Sequence, residues 1–267
     1  MLLLALQEEA GLRPYGPAHL TALVLTFALP LLLRTWVLAG LPRPLSADPA
    51  PRLARLRIPA RILGAVLLIT LPAKLCYTLI AHPQPWQEVL PLQLCDLACI
   101  FVIIALFTYR QTCFEIAYYW GLAGTLQALL TPDLAYGFPH PYFFFFFIGH
   151  AGIVAGALTL ILAGGMRPTV KGGVTAFLAV LGYAACMVVI NFALGVNYGY
   201  LIAKPQHHSI MDFLWDWPYY IAELTALAAF LFLLLYLPHA PFWKRKPPVK
   251  APAADPGSAA PAAERIP

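Results

Sequence analysis

Cys95 and His150 are the pair of side chains in this 267-residue sequence that is best suited to covalent chemistry. A cysteine thiol becomes a good nucleophile as its thiolate, and a nearby imidazole can accept the proton because its unperturbed pKa is about 6.5. Together, the two groups would form an acyl-thioester and move a fatty-acyl chain from one lipid to another. This chemistry requires that two distant parts of the chain meet.

The segments that carry these residues are long and apolar. The chain is 61% hydrophobic and only 11% charged, whereas soluble domains are about half apolar and a quarter charged. Apolar runs of about 20 residues can cross a hydrocarbon layer, and in lipid they must be helical. We therefore predict an all-α, polytopic membrane protein with a seven-helix bundle, whose spans are 18–39, 58–80, 88–107, 113–131, 142–164, 172–196 and 217–238.

Basic residues predict the orientation of the bundle. Eleven lysines and arginines fall in the first, third and fifth loops and the first ten residues of the tail, against two in the remaining outer segments. Because cytoplasmic segments are enriched in these residues, the N-terminus is expected outside and the C-terminus in the cytoplasm. We expect an N-terminal segment (1–17), a membrane domain (18–240) and a disordered basic tail (241–267), in an inner membrane. The net charge of +5 is thereby explained without a nucleic-acid partner.

Polar side chains fall at one predicted depth. Cys95 lies about 10 Å inside the start of its span, and His150 and Glu223 lie about 12 Å and 9 Å inside theirs, at ~1.5 Å per residue. Polar groups are costly in lipid, so those at this level are candidates for function. The supporting site residues that we predict are Lys74, Gln93, Asp96, Gln127, Asn191, Asn197, Tyr198 and Glu223.

Each of these residues also has a purely structural interpretation. Lys74 could extend to the surface or pair with Asp96 or Glu223, and Asn191 could join two helices. His150 and Glu223 could be hydrogen-bonded without any catalytic role. Packing is the expected role of the other four cysteines, which are Cys76, Cys99, Cys113 and Cys186. The phenylalanine run 143–147 is expected first to pack against lipid and the core, and second to line an acyl chain.

Metal or cofactor binding is not predicted. His207 and His208 are adjacent in an outer loop, but no HExxH-like or CxxC-like motif accompanies them. Phosphate-binding glycine loops and serine-centred nucleophile elbows are also absent from the sequence.

A site about 10 Å below the outer surface lies at the level of the ester carbonyls of a phospholipid. A phospholipid or lysophospholipid is therefore the expected partner, and Asn191, Gln93 or Gln127 could stabilise an oxyanion.

Several segments resemble a known family. The segment LPLQLCDLA (90–98) resembles the LPLHLCD-type motif of the YwaF-type bacterial integral membrane proteins. Segments 140–152, 191–205 and 217–223 follow the pattern of the same family in the same order. This group is similar to eukaryotic transmembrane protein 164, an acyltransferase of ether phospholipids, and more distantly to the androgen-induced and ADTRP-type membrane lipid hydrolases.

The resemblance covers about residues 15–240 and implies that Cys95 is the nucleophile and His150 the general base. Gln93 stands where the family motif has a histidine, which implies a different handling of protons.

Three hypotheses follow from the sequence. The first is an intramembrane acyltransferase or lipid hydrolase centred on Cys95 and His150. The second is a transporter, lipid-binding or receptor-like protein that uses the same polar cluster, and the third is a structural membrane protein. Polar residues on only one side of the membrane favour the first over a transporter. The residues leave open whether an acyl acceptor or water completes the reaction, and which oligomer forms.

Overall fold

The structure is a computed structural model that describes residues 12–42, 48–81, 85–132, 134–205 and 210–240. Every regular element in these ranges is helical, in agreement with the all-α prediction. The predicted tail (241–267) and most of the predicted N-terminal segment lie outside the described residues.

Six long helices and several short ones make up the described chain. The first three in order are α1 (Pro17–Ala39), α2 (Ala50–Ala81) and the single turn α3 (Trp86–Val89). The next are α4 (Leu94–Thr108) and α5 (Gln111–Trp120), and a π-helical turn (Gly121–Thr125) joins α5 to α6 (Leu126–Leu130). The last are α7 (Pro141–Leu162), α8 (Val170–Leu194) and α9 (Tyr220–Tyr236).

Five of the described helices are long and apolar enough to cross a membrane, namely α1, α2, α7, α8 and the segment beginning at Tyr220. Helix α4 is apolar but has only 15 residues, and the predicted fourth span is divided among α5, the π-helical turn and α6. The chain is thus a membrane protein with several apolar helices. The count of seven spans and the orientation of the termini remain predictions.

Two helix boundaries differ clearly from their predicted positions. The third predicted span was to begin at residue 88, but α4 begins only at Leu94 because Pro91 lies in an irregular segment and Gln93 caps the helix. A capping box links Gln93 and Asp96 and fixes this start. Helix α2 begins at Ala50, eight residues before the predicted span, and therefore extends beyond its apolar part.

Helix α7 is the central helix of the bundle. Half of the residues in its most apolar 18-residue stretch are buried, whereas the other four candidate membrane spans bury 17% or less of theirs. Two glycines let it approach its neighbours: a Cβ on Gly152 would overlap the Leu67 side chain of α2, and one on Gly156 would lie 2.8 Å from Val102 Cγ2 of α4. Small residues permit such close helix packing in membranes.

His19 connects α1 to the end of α6 and is 1% exposed. Its Nδ1 accepts a hydrogen bond from the Tyr15 N–H at 2.9 Å, and its Nε2 donates to the Leu129 carbonyl at 2.7 Å. Both ring nitrogens therefore have partners, as a buried polar group requires. His19 is not among the predicted site residues. The only feature of the sequence that points to it is its position in the first turn of an apolar helix.

Glu115 is a second buried polar residue that was not predicted. Its Oε1 accepts hydrogen bonds of 2.7 Å from both the backbone N–H and the hydroxyl of Thr169. Thr169 is the N-cap of α8, and its Oγ1 accepts from the Gly172 N–H. The Glu115 carboxyl group of α5 thus lies at the N-terminus of α8, where negative charge is stabilising. Its hydrogen bonds to Thr169 connect the two helices.

Replacing Gly172 with alanine is expected to destabilise the protein, because the new Cβ would overlap the Glu115 carboxyl group. The expected cost is about 1–3 kcal/mol, as for other overpacked interiors. Gly182→Ala on the same helix is the matched control, since a Cβ there meets no atom within 4 Å. Thermal unfolding of the purified variants in detergent measures the difference, and equal midpoints would contradict the proposed packing.

Candidate functional site

A cavity of about 130 Å³ lies where α2, α4 and α7 meet. Its walls are mainly aliphatic and aromatic side chains, including Leu67, Leu71 and Phe146. Cys95 from α4 and His150 from α7 both line this cavity. Two residues that are 55 positions apart in the sequence are therefore brought to one site.

His150 is held in a defined tautomer by its own helix. Its Nδ1 lies 2.9 Å from the carbonyl oxygen of Phe146, and a carbonyl can only accept, so Nδ1 carries the proton. Nε2 of the neutral ring is then the nitrogen with a free lone pair. The Phe146 ring also stacks on the imidazole at 4.2 Å between centroids, which further restricts its orientation.

Cys95 lies in the first turn of α4, one residue after its start. Among the described residues, no hydrogen bond joins its thiol to the His150 imidazole. The two groups thus share a cavity without a formed ion pair, and catalytic hydrogen bonds are often long until substrate is bound. Cys99, one turn further along α4, also lines the cavity, which its predicted packing role did not anticipate.

Lys74 and Asp96 supply the charges of the cavity. Lys74 Nζ on α2 lies 3.5 Å from Asp96 Oδ1 on α4, which is the first of the two partners proposed for this lysine. The carboxylate is 8% exposed and also accepts from the Gln93 N–H, whereas the lysine side chain is 43% exposed. The ion pair therefore joins α2 to α4, and both of its residues line the cavity that contains Cys95.

Asn191 and Asn197 have structural partners in the segment that follows α8. The Asn191 side chain is fully buried and makes two hydrogen bonds to the backbone of Tyr198, one to its carbonyl and one from its N–H, at 2.9 and 2.8 Å. Asn197 bonds in the same way to the backbone of Ile202 and Ala203. Neither residue lines the cavity of Cys95, and Asn191 joins α8 to the short 3₁₀ turn Tyr198–Tyr200 that follows it.

Three further residues of the predicted cluster do not line the cavity of Cys95 and His150. Glu223 accepts a 2.7 Å hydrogen bond from the Trp215 N–H and so stabilises the segment before α9. Gln127 on α6 does not line the cavity. The Gln93 side chain accepts from the Gly199 N–H at 3.0 Å, which commits its oxygen to the loop that contains Tyr198.

Seven of the ten predicted residues therefore line one of two separate cavities, and Gln127, Asn191 and Glu223 line neither. Cys95, His150, Lys74 and Asp96 line the cavity between α2, α4 and α7. A second, more polar cavity of about 440 Å³ is lined by residues that include Glu88, Gln93, Asn197 and Tyr198. Gln93, which lines the second cavity, is also the N-cap of α4, the helix that carries Cys95.

Tyr142 and Gly149 also line the first cavity and were not predicted. The Tyr142 hydroxyl donates to Thr78 Oγ1 at 3.0 Å, which ties the start of α7 to the end of α2. The helical spacing of 142, 149 and 150 along α7 is a signal in the sequence, but it becomes informative only when the face of α7 that meets α2 is known.

No group of three or more histidine, cysteine or acidic residues that could hold a metal ion occurs within the described ranges. His207 and His208, the adjacent histidines of the predicted outer loop, lie outside the described residues.

Asn191→Ala is expected to lower the thermal stability of the protein, because it leaves the buried N–H and carbonyl of Tyr198 without partners. The expected loss is about 1–3 kcal/mol, and Asn191→Asp, which retains only the acceptor, serves as the comparison. Thermal unfolding in detergent measures both variants. Unchanged stability with loss of activity would instead support the oxyanion role expected from the sequence.

Comparison with protein families and structures gives the family of the chain. The sequence profile of the TMEM164 family matches residues 14–236, which include every predicted site residue. Neither the curated proteins nor the solved structures contain a match. The match confirms the resemblance seen in the sequence motifs, and the chain belongs to the TMEM164 family.

Proposed function

We propose that this protein transfers a fatty-acyl group between lipids inside the outer leaflet of the inner membrane, with Cys95 as nucleophile and His150 as general base. The observation that carries the proposal is the single, largely apolar cavity that both side chains line. Membership of the TMEM164 family agrees with a membrane-embedded role, and the family resemblance of the LPLQLCDLA segment supports the assignment of Cys95.

The first half of the reaction forms a thioester. Nε2 of His150 accepts the thiol proton of Cys95 as the sulfur attacks the ester carbonyl of a phospholipid. The tetrahedral intermediate collapses, the ester C–O bond breaks, and the imidazolium returns the proton to the leaving oxygen. The products are an acyl-thioester at Cys95 and a lysophospholipid.

The second half transfers the acyl group to an acceptor. His150 removes the proton from the hydroxyl of a second lysophospholipid, whose oxygen attacks the thioester carbonyl and displaces the Cys95 sulfur. The proton on His150 then returns to the sulfur, which restores the starting enzyme. Water could attack in the same way, but apolar walls reduce its access to the site, so we favour transfer over hydrolysis.

Lys74 is the side chain best placed to stabilise the oxyanion of both steps. Of the amides expected for this role, Asn191 and Gln93 are bonded to backbone and Gln127 does not line the cavity, whereas Lys74 does. The first N–H groups of a helix also lack partners within that helix. The Asp96 and Leu97 N–H groups at the start of α4 already donate to the Gln93 carbonyl, so the Cys95 N–H is the backbone donor that we propose for the oxyanion.

Lipidomics and thiol labelling test the assignment of Cys95 and His150. The parent for both measurements is Cys76→Ser/Cys186→Ser, which removes the two exposed thiols and leaves the cavity unchanged. Adding Cys95→Ser or His150→Ala is expected to reduce acyl transfer by about 100-fold or more. A thiol-reactive acyl probe should label the parent at Cys95 and should fail to label the His150→Ala variant at the same rate.

Cys113→Ser is the matched cysteine control, because this residue lies on α5 away from the cavity. Lipid profiles and probe labelling that do not depend on Cys95 or His150 would overturn the proposed function.

Lys74→Met is expected to lower kcat by about 100-fold with little change in KM, because the ammonium acts on charge that develops in the transition state. Lys74→Arg keeps the charge and should retain more activity. Steady-state kinetics with a phospholipid donor separate the two parameters. A raised KM with unchanged kcat would contradict the oxyanion role and place the ammonium at the phosphate of the substrate.

A further inference from the structure

Two glycines one turn apart on α7 have opposite surroundings. A Cβ on Gly152 would overlap the Leu67 side chain of α2, so the two helices are in close contact there. A Cβ on Gly149 would meet no atom within 4 Å, although Gly149 lines the cavity. Helices α2 and α7 therefore touch at the level of Gly152 and leave open space at the level of Gly149.

The open space is bordered by apolar surface. Thr70 and Leu71 of α2 and Phe145 of α7 line the cavity and are each half-buried. The Thr70 hydroxyl donates to the Val66 carbonyl of its own helix at 2.7 Å, so its polar group is already satisfied. Ile69, next to Thr70 on α2, is 67% exposed, as expected for a side chain that faces hydrocarbon.

The size of the cavity indicates how a lipid would occupy it. Pockets that enclose a drug-sized ligand measure about 300–1,000 Å³, whereas this cavity measures about 130 Å³. It has room for the reacting ester and the first carbons of a chain, and the remainder of the chain must lie outside it. Since α2 and α7 both have the length and hydropathy of membrane spans, the surrounding phase at this level is the bilayer interior.

We propose that a bilayer lipid reaches the cavity sideways between α2 and α7, with its acyl chain passing through the open space at Gly149. This inference deepens the proposed function, on which it rests for the identity of the reacting ester. Gly149 acts as a specificity-determining residue, because any larger side chain would occupy the path of the chain. The substrate class is therefore a membrane-resident lipid with a long acyl chain, in preference to a water-soluble ester.

Photocrosslinking tests the path independently of catalysis. The inactive Cys95→Ala protein is reconstituted in phosphatidylcholine vesicles that contain a phosphatidylcholine with a diazirine in its acyl chain. Gly149→Leu, added to this protein, is expected to reduce crosslinking to α2 and α7 by about tenfold, since the side chain fills the path. Gly182→Leu on α8 is the matched control, because it also adds a side chain where no atom lies within 4 Å.

Leu71→Trp, on the opposite side of the open space, is the second blocking variant and keeps the test valid if Gly149→Leu does not fold. Thermal unfolding in detergent establishes which variants are folded. Undiminished crosslinking in a folded blocking variant would overturn the lateral path. Reduced crosslinking supports it, even when the active parent shows no acyl transfer, and that pattern would reject the proposed function alone.

Discussion

The close packing of α7 against α2 and α4 is the interaction on which the candidate site depends. Gly152 and Gly156 have no side chains that would keep these helices apart. In lipid the hydrophobic effect does not favour helix–helix over helix–lipid contact, so close packing of this kind is what holds the helices together. His150 is two residues before Gly152, so the same contact that joins α7 to α2 also brings the imidazole to the cavity. The position of Cys95 depends on the opposite kind of feature, a polar capping box that fixes the start of α4.

Polar residues inside this protein have different physical roles. His19, Glu115 and Asn191 are buried, and each is hydrogen-bonded to a backbone group near the end of a helix. Such groups would otherwise be unsatisfied in a medium without water, which is costly. Lys74 differs because it is paired on one side and open to the cavity on the other. Burial of a polar group alone therefore does not distinguish a candidate functional residue from a structural one in this bundle.

Much of the helical content could be predicted from the sequence. Apolar runs predicted the location of α1, α7, α8 and α9 to within a few residues. The predicted depth of Cys95 was counted from residue 88, whereas α4 begins only at Leu94, so that count does not hold for the thiol. Counting gives depth but not direction: it grouped Asn191 and Glu223 with the cavity residues, although both face loop backbone. The side of a helix that meets a neighbour depends on tertiary packing. For the same reason Gly149 and Tyr142 could not be identified before α2 was known to lie beside them.

The π-helical turn at Gly121–Thr125 has a consequence for the whole α1 side of the bundle. A wide turn contains more residues than an ordinary one, so everything after it is rotated about the helix axis relative to an uninterrupted α-helix. The Leu129 carbonyl, which accepts the hydrogen bond from the His19 imidazole, lies after this turn. The direction of this carbonyl towards α1 therefore depends on the π-helical turn that precedes it. A helical-wheel projection drawn straight through residues 111–130 would assign the wrong inward-facing positions to α6, and homologous chains that lack the irregularity would need a different anchor for their first helix.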